Sequence, residues 1–396
     1  MRTATENFDS VIIRFGGEIW IKSNWTRKMY EKQLLQNIKN TLTQQNVPHQ
    51  KIERKHGRFY IRTQNARDTA LILARVFGIS SVSPAMKTTA KINDVVTKSL
   101  VVAEEALRKK GTFAVRCKRV GKHPYTSIEV NRIVGKQILE KFEEKNLKVN
   151  LNVPDTVLGI EVRDEAAFIF SDEIEAAGGM PLGTQPKVVC LLSGGIDSPV
   201  ACWLAMKRGC PIVPAYFDNT PFTDQSTNER AIATAKTLFN WAIGFQKKIY
   251  IVSHGQNLKE IVEKCPRRFT CLLCKRMMYR IAERMADLEK AEGIVTGEAI
   301  GEQASQTLRN LRVLNLAATK YPIHRPLLGF DKAETEKLAK KIGTYVISTR
   351  KAKDCTAVPQ KPATQAKIED IENAEKALDI KSMIEDSLRK SRTLLL

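Results

Sequence analysis

The chain has 396 residues, enough for two or three domains at roughly 150 residues each, and its 43% apolar and 27% charged content excludes a globally disordered chain. Lys and Arg outnumber Asp and Glu by 64 to 43, and a net charge of +21 suits a partner rich in phosphate or an anionic membrane surface. No apolar run reaches the ~20 residues that span a bilayer, residues 1–9 lack the apolar stretch of a signal peptide, and eight cysteines in so long a chain do not make a secreted disulfide framework, so a reducing, cytoplasmic setting is expected.

Residues 9–21 carry an apolar, β-branched run, Val11-Ile12-Ile13 and then Glu18-Ile19-Trp20-Ile21. Met29, Leu34, Leu35, Ile38 and Leu42 fall at helical spacing and predict a helix over 27–44. Lys51-Ile52-Glu53 and Arg58-Phe59-Tyr60-Ile61 read as strands around His56-Gly57, and 66–77 reads as a helix stopped by Gly78. Strand–helix–strand–strand–helix is most of a ferredoxin-like α+β unit, so 1–80 reads as one small domain. A helix over 91–109, a strand over 112–117, a helix over 127–144 and a hairpin from 156–162 and 166–170 predict a second compact α/β domain over 81–172.

After Gly178-Gly179-Met180-Pro181-Leu182-Gly183 the rhythm changes. Val188-Val189-Cys190-Leu191-Leu192 is a short continuous apolar run, typical of a buried parallel strand. Helices over 198–208, 224–240, 271–289 and 303–310 alternate with strands over 211–217, 248–252 and 293–296. Such alternation predicts a doubly wound α/β sheet, placed in 173–396. Ile368, Ile371, Ala374, Leu378, Ile380 and Ile384 predict an amphipathic helical tail over 366–391.

Charge divides along the same lines. Residues 51–150 hold 22 basic against 9 acidic side chains, whereas 151–200 hold 2 against 8. The basic clusters are Arg54-Lys55-His56-Gly57-Arg58, Arg108-Lys109-Lys110 and Arg116-Cys117-Lys118-Arg119-Val120-Gly121-Lys122-His123. Runs of this kind usually end as solvated charges. With few acids to compensate them, they also suit a surface that tracks the phosphates of structured RNA.

Ser193-Gly194-Gly195-Ile196-Asp197-Ser198 lies directly between a buried strand and a helix. Its glycines permit a tight turn, and its free amides and two hydroxyls can cradle an anion at the helix N-terminus. Asp197 can help to hold a nucleotide's metal. The Gly-Lys-Ser/Thr ending of a Walker A loop is absent. The segment matches the SGGxDS loop of the PP-loop ATP pyrophosphatases, which cleave ATP between the α and β phosphates and adenylate an oxygen. A glycine-rich turn without a ligand is the bland alternative, and six matching positions in the right context weigh against it.

From this loop onward the chain resembles the tRNA 4-thiouridine synthetase family, also called tRNA sulfurtransferase or ThiI. The resemblance is carried by Thr296-Gly297-Glu298, Gly301, Gln303-Ala304-Ser305-Gln306-Thr307-Leu308, Arg325-Pro326-Leu327-Leu328-Gly329-Phe330-Asp331-Lys332, Ile342-Gly343-Thr344-Tyr345, Asp354-Cys355-Thr356 and Lys361-Pro362-Ala363-Thr364. Further forward, Gly16-Gly17-Glu18-Ile19-Trp20-Ile21-Lys22 and Val115-Arg116-Cys117-Lys118-Arg119 match the family's ferredoxin-like and THUMP domains. The resemblance implies that Leu191, Leu192, Ser193, Gly194, Gly195, Asp197, Ser198, Tyr216, Phe217, Lys275, Gly297 and Gln306 contact ATP. It assigns catalytic roles to Asp197, Lys332 and Cys355. It implies Mg²⁺, tRNA and a sulfur donor, either sulfide or a persulfide protein such as a cysteine desulfurase, together with a homodimer and a link to thiamin thiazole synthesis. After Thr356 about 40 residues remain, too few for the rhodanese-like domain of the longer members.

Cys271 and Cys274 share one face at the start of a helix, with Cys265 just upstream and Cys355 far away in sequence. Arg267, Arg268, Lys275 and Arg276 argue against plain core cysteines and favour thiolates. Zinc would want a fourth ligand. A redox dithiol could accept sulfur from a persulfide. An iron–sulfur cluster on Cys271, Cys274 and Cys355 would leave one iron open, as in PP-loop tRNA thiolases without a rhodanese domain. Cys117, Cys190, Cys202 and Cys210 read as core residues.

The expected function is ATP-dependent sulfur transfer to tRNA, making 4-thiouridine at position 8 by the family's habit. The alternatives are another PP-loop enzyme, either an amidotransferase-type synthetase or a different tRNA thiolase, and a non-catalytic THUMP RNA-binding protein.

Overall fold

The computed structural model describes residues 8–107 and 111–396, and divides into two compact units between Pro181 and Leu182. The expected basic cluster at Arg108-Lys109-Lys110 lies outside the described residues.

The first unit begins with β1 (Ser10–Phe15), a short α1 (Gly17–Trp20), α2 (Asn24–Gln44), β2 (Glu53–Lys55), β3 (Arg58–Arg62), α3 (Ala66–Leu73) and β4 (Ile79–Thr89). It continues with α4 (Ile92–Ala106), β5 (Thr112–Val120), α5 (Ser127–Lys141), β6 (Lys148–Val149), β7 (Thr156–Arg163), β8 (Ala166–Phe170) and β9 (Ile174–Glu175). Among the described residues these strands form one nine-stranded sheet, ordered β2-β3-β1-β4-β8-β7-β5-β6, with β9 beside β4.

β4 joins the two halves of this sheet. It pairs antiparallel with β1 through Pro84 and Ser83 and then with β8 through Met86 to Thr89. The strand therefore runs across the expected division at residue 80. Nothing in Ser80-Ser81-Val82-Ser83-Pro84 reads as a strand, because Ser and Pro are poor strand formers and Pro removes a ladder donor. The alternation of β1 divides its side chains: Val11 and Ile13 enter the main core, and Ile12 packs on the opposite face with Tyr60, Ala85, Phe168 and Phe170. The Glu18–Ile21 run is not strand but the helical turn α1, whose Trp20 stacks on Phe15 at 5.6 Å. Gly57 has φ +71, and a Cβ there would lie 2.1 Å from the Trp20 ring, so this turn requires glycine.

The second unit contains β10 (Lys187–Leu191), α6 (Asp197–Lys207), β11 (Ile212–Asp218), α7 (Gln225–Phe239), β12 (Lys248–Ser253), α8 (Gly255–Lys264), α9 (Thr270–Glu289) and β13 (Ala291–Val295). There follow α10 (Leu308–Asn315), β14 (Ile323–His324), α11 (Lys332–Ile342), α12 (Tyr345–Ser348), α13 (Ile368–Glu375), α14 (Ile380–Arg389) and β15 (Arg392–Leu395). The sheet order is β14-β13-β10-β11-β12-β15, parallel except for β15, which pairs antiparallel with β12. Helices α6, α7, α11 and α12 pack together as one group, and α9 packs with α8, α10 and α14 as another. This is the expected α/β parallel sheet.

Two expectations shift in detail. The helix expected over 303–310 is a 3-10 turn, Ala304–Gln306, followed by α10. Thr307 caps α10 by accepting from Asn310 N at 3.2 Å, which separates the two. The tail is not one helix. Asp379 caps α14 through Ser382 N at 3.0 Å, and the last residues close the sheet edge as β15.

Candidate active site

β10 delivers the Ser193–Ser198 loop to α6 at the carboxyl edge of the parallel strands. There the strand order reverses between β10 and β13, the place where open α/β sheets leave a crevice. The loop is closed by its own serines. Ser198 Oγ accepts from Ser193 N at 2.8 Å and donates to Ser193 O at 3.1 Å, and Gly195 N donates to Ser193 Oγ at 3.3 Å. Ser348 Oγ anchors the loop from α12 by donating to Gly195 O at 3.1 Å. The end of β13 presses against the start of α6 so closely that a Cβ on Gly297 would lie 2.6 Å from Ser198 N. A Cβ on Gly194 would lie 2.6 Å from Arg230 Nε, and Arg230 is held over the loop by donating to Arg350 O at 2.9 Å. A short loop of backbone amides at a helix start, flanked by a guanidinium, is suited to polyphosphate.

Lys332 comes to the same place from the first turn of α11. An Asp331–Glu334 capping box fixes that helix start. Lys332 Nζ lies 2.8 Å from Asp197 Oδ1 and 3.4 Å from Glu302 Oε2. Partial burial works against its charge, but the two carboxylates more than offset this and raise its pKa above the usual lysine range. The two residues expected to be catalytic from opposite ends of this unit are thus in contact.

Glu298, one residue beyond Gly297, organises the floor. Its buried carboxylate accepts from Lys275 Nζ at 3.1 Å, Arg325 Nε at 2.8 Å, Thr296 Oγ1 at 3.2 Å and the Tyr279 hydroxyl. Burial pushes its carboxyl up, yet Lys275 and Arg325 outweigh this and hold it below the usual carboxylate range. A carboxylate with a lowered folded pKa contributes stability above its unfolded value and loses it as pH falls through the folded one. Glu298→Gln therefore leaves two partly buried cations without their counter-charge, a loss of about 3 kcal/mol at neutral pH. Urea unfolding of wild type and variant checks this, and the gap between them narrows as pH drops below about 4.

Leu192, Tyr216 and Phe217 are buried at the ends of β10 and β11, and Leu191 is half-buried. Tyr216 is positioned through its hydroxyl, 2.8 Å from Thr227 Oγ1 on α7, and the Phe217 ring stands edge-on to His254 at 5.6 Å. Gln306 is buried, and its side-chain oxygen Oε1 has no hydrogen-bond partner. Lys275 does not project freely; its ammonium is held by Glu298.

The cysteines divide as their sequence positions suggest. Cys274 and Cys355 belong to one small apolar cluster with Leu258, Ala357 and Phe222, and each of Cys355 and Cys271 raises the thiol pKa of a neighbour in this group. Cys265 lies elsewhere, in the main core, where its thiol donates to Ala374 O at 3.4 Å. The thiolate expectation is not met. Burial pushes the Cys271, Cys274 and Cys355 thiols up. Two of the four basic neighbours are engaged elsewhere, Arg276 on Glu375 at 2.8 Å and Lys275 on Glu298, and the pull of Lys275 and Arg267 on Cys271 does not offset its burial. Among the described residues no three His, Cys, Asp or Glu side chains are arranged to hold a metal ion. The compact shell that zinc needs is therefore not formed. A multi-iron cluster is larger and takes one thiolate per iron, and the three thiols are neighbours: Cys274 and Cys355 share one apolar cluster, and each raises or feels the charge of Cys271.

In the first unit, two expected basic clusters meet. The His56 imidazole from the β2–β3 turn lies 2.9 Å from Asp164 Oδ2, and His123, beyond β5, lies 2.6 Å from Asp164 O. Lys55, Arg119 and Lys122 surround this junction, whereas Arg54 and Arg58 turn towards Glu31 and Glu161.

Residues 183–380 match the model of the thiamine biosynthesis protein (ThiI) family, residues 89–172 the THUMP domain and residues 10–83 the ThiI ferredoxin-like domain. A probable tRNA sulfurtransferase of Methanosarcina mazei is 40% identical over 396 residues, covering 100% of this chain and 97% of that protein. The chain belongs to the ThiI family. A second ThiI relative, a probable tRNA sulfurtransferase of Thermococcus kodakarensis, is 39% identical over 92% of this chain and 95% of its own length. Among solved structures, a 4-thiouridine synthetase–RNA complex with bound ATP superposes with a TM-score of 0.87 at 34% identity, covering 98% of this chain and 100% of that one. PH1313 from Pyrococcus horikoshii matches with a TM-score of 0.67 at 25% identity, over 85% of this chain and 99% of its own. This ThiI chain therefore has the ferredoxin-like, THUMP and PP-loop parts expected of it. Arg230, Ser348, Glu298 and Glu302 were not singled out by sequence reasoning. Glu298 stood inside a quoted motif, but a lone buried carboxylate has no periodicity to reveal its partners.

Proposed function

We propose that this ThiI chain is an ATP-dependent tRNA sulfurtransferase that adenylates a tRNA uridine at O4 and replaces that oxygen with sulfur, giving 4-thiouridine, with position 8 as the target. The observation that carries this is the closed Ser193–Ser198 loop with Lys332 brought to Asp197, in a chain similar throughout its length to a 4-thiouridine synthetase solved with RNA and ATP. The loop amides and Arg230 bind the ATP phosphates. Asp197 holds Mg²⁺, and Lys332 offsets charge that grows at the α-phosphate as uridine O4 attacks and pyrophosphate leaves. Gln306 Oε1 accepts from the nucleotide, and Leu191, Leu192, Tyr216, Phe217, Lys275 and Gly297 shape its pocket. AMP leaves when sulfur attacks the same carbon.

Residues 1–80 and 81–172 form the ferredoxin-like and THUMP parts of an RNA-holding arm, and 173–396 the catalytic domain. The edge around Lys55, His56, Arg119, Lys122 and His123 contacts tRNA phosphates. The target base leaves its stack to reach the catalytic pocket. Sulfide or a persulfide protein as donor, a cytoplasmic setting and a homodimer belong to this reading.

Cys271, Cys274 and Cys355 would hold an iron–sulfur cluster, which when bound supplies an open iron for sulfide. A second reading has metal-free thiols, with Cys355 carrying a persulfide and Cys271 or Cys274, its neighbours, resolving it by disulfide formation.

ATP–pyrophosphate exchange tests the assignment against its rivals. Exchange that requires tRNA supports a tRNA-adenylating enzyme. Exchange with a small molecule alone identifies a different PP-loop synthetase, and no exchange under any condition identifies a binding protein.

A further inference from the structure

One chain of buried polar groups plays no part in phosphate handling and ends on a cysteine of the proposed sulfur site. His254 caps the N-terminus of α8 and is completely buried. Its Nε2 lies 3.3 Å from Cys274 Sγ, and its Nδ1 lies 3.3 Å from Asn257 Nδ2. The same Asn257 nitrogen donates to Ser387 Oγ at 2.7 Å. Asn257 and Ser387 are 4% and 3% exposed, and this chain of contacts runs from the tail helix α14 through α8 to a site cysteine on α9.

The chemistry of the chain fixes its direction. An amide nitrogen only donates, so with Asn257 Nδ2 towards it, Nδ1 of His254 must be the lone-pair nitrogen. A neutral imidazole with a bare Nδ1 carries its proton on Nε2, and that N–H points at Cys274 sulfur. The Phe217 ring stands edge-on to the imidazole at 5.6 Å.

We propose that Asn257 and Ser387 hold His254 in its Nε2–H tautomer so that it donates a hydrogen bond to Cys274 sulfur, making His254 a positioning residue for sulfur transfer. This rests on Cys274 belonging to the sulfur-handling site, as proposed above. A donor aimed at that sulfur steadies it when it carries negative charge, whether as a thiolate ligand or as the thiolate that attacks Cys355 sulfur once its persulfide is bonded to the uracil, forming a Cys274–Cys355 disulfide and releasing the thiolated base. It also gives the C-terminal tail a function. Ser387 reaches the site only because α14 lies against α9 and β12, the strand that runs into His254.

The tautomer is read directly on the full-length protein labelled with ¹⁵N-histidine, because protonated and bare ring nitrogens have well-separated shifts. There are five histidines, and the His254 signals are those missing from His254→Gln. The expected result is a bare Nδ1 and a protonated Nε2 in wild type. Asn257→Asp places an acceptor where the donor stood and is expected to move the proton to Nδ1. A proton on Nδ1 in wild type overturns the proposal.

Function is read as 4-thiouridine formed per tRNA, with ATP binding as the control for an intact fold. His254→Gln, whose amide can still donate, is expected to stay within about threefold of wild type, while His254→Leu and Asn257→Asp fall about 10- to 100-fold. Equal activity of His254→Leu and wild type overturns the positioning role. If His254→Leu loses ATP binding as well, Asn257→Asp decides alone. A wild type that makes no 4-thiouridine refutes the functional assignment, and the nitrogen shifts still decide the tautomer.

Discussion

Asp197→Ala is expected to lower tRNA thiolation by at least about a hundredfold, the usual cost of removing one charged group that acts on developing negative charge. Two effects combine. The carboxylate that would hold the nucleotide's metal is lost, and Lys332, paired with it at 2.8 Å, loses the partner that directs its ammonium to the loop. The effect should fall on catalysis rather than RNA binding, because the basic edge around Asp164 lies in the other compact unit. Single-turnover thiolation and a tRNA filter-binding titration measure the two separately. Thiolation within a few-fold of wild type would refute the phosphate-loop assignment. The tRNA titration should also weaken steeply with salt, since each phosphate contact releases counterions.

The second large effect concerns the cysteines. Ser at Cys271, Cys274 or Cys355 is expected to reduce thiolation to background, while Cys265→Ser costs less than about threefold. Cys274 and Cys355 share one apolar cluster with Cys271 as their electrostatic neighbour, whereas Cys265 spends its thiol on a backbone carbonyl in another core. Each variant would be purified anaerobically and assayed for iron and for 4-thiouridine. Joint loss of iron and activity supports the cluster. A wild type free of iron after reconstitution, yet active with a persulfide donor, supports the thiol reading. Cys265→Ser as damaging as the other three implies a four-cysteine site and refutes the three-cysteine grouping.

What the sequence disclosed follows from physical period and punctuation. β10 was legible because Val188–Leu192 is a continuous apolar run that stops at a glycine pair. The helices α2, α5, α7 and α9 were legible from apolar side chains at helical spacing. β4 was not, because its serines and Pro84 carry no strand signature, and its place is decided by partners 64 or more positions away along the chain. β15 was hidden for the same reason, since Arg392–Leu395 becomes a strand only when the edge of β12 is offered to it. In the site, the loop motif pointed to Asp197, the spacing of Cys271 and Cys274 pointed to a shared helix face, and the family resemblance alone pointed to Lys332, Gly297 and Cys355. None of these identified Arg230, Ser348 or His254, single polar residues whose roles arise from packing between elements distant in sequence. Sequence reasoning misjudged the thiols, because a local count of cations does not reveal that Arg276 is committed to Glu375 and Lys275 to Glu298.

The most direct measurement is nucleoside mass spectrometry of unmodified tRNA transcript incubated anaerobically with the purified chain, Mg·ATP and a sulfide or persulfide donor. The expected result is 4-thiouridine at a single uridine, formed only with ATP and accompanied by one AMP and one pyrophosphate per sulfur. The contradicting result is no thiolated base under either donor, or sulfur placed on C2 rather than C4 of the uracil.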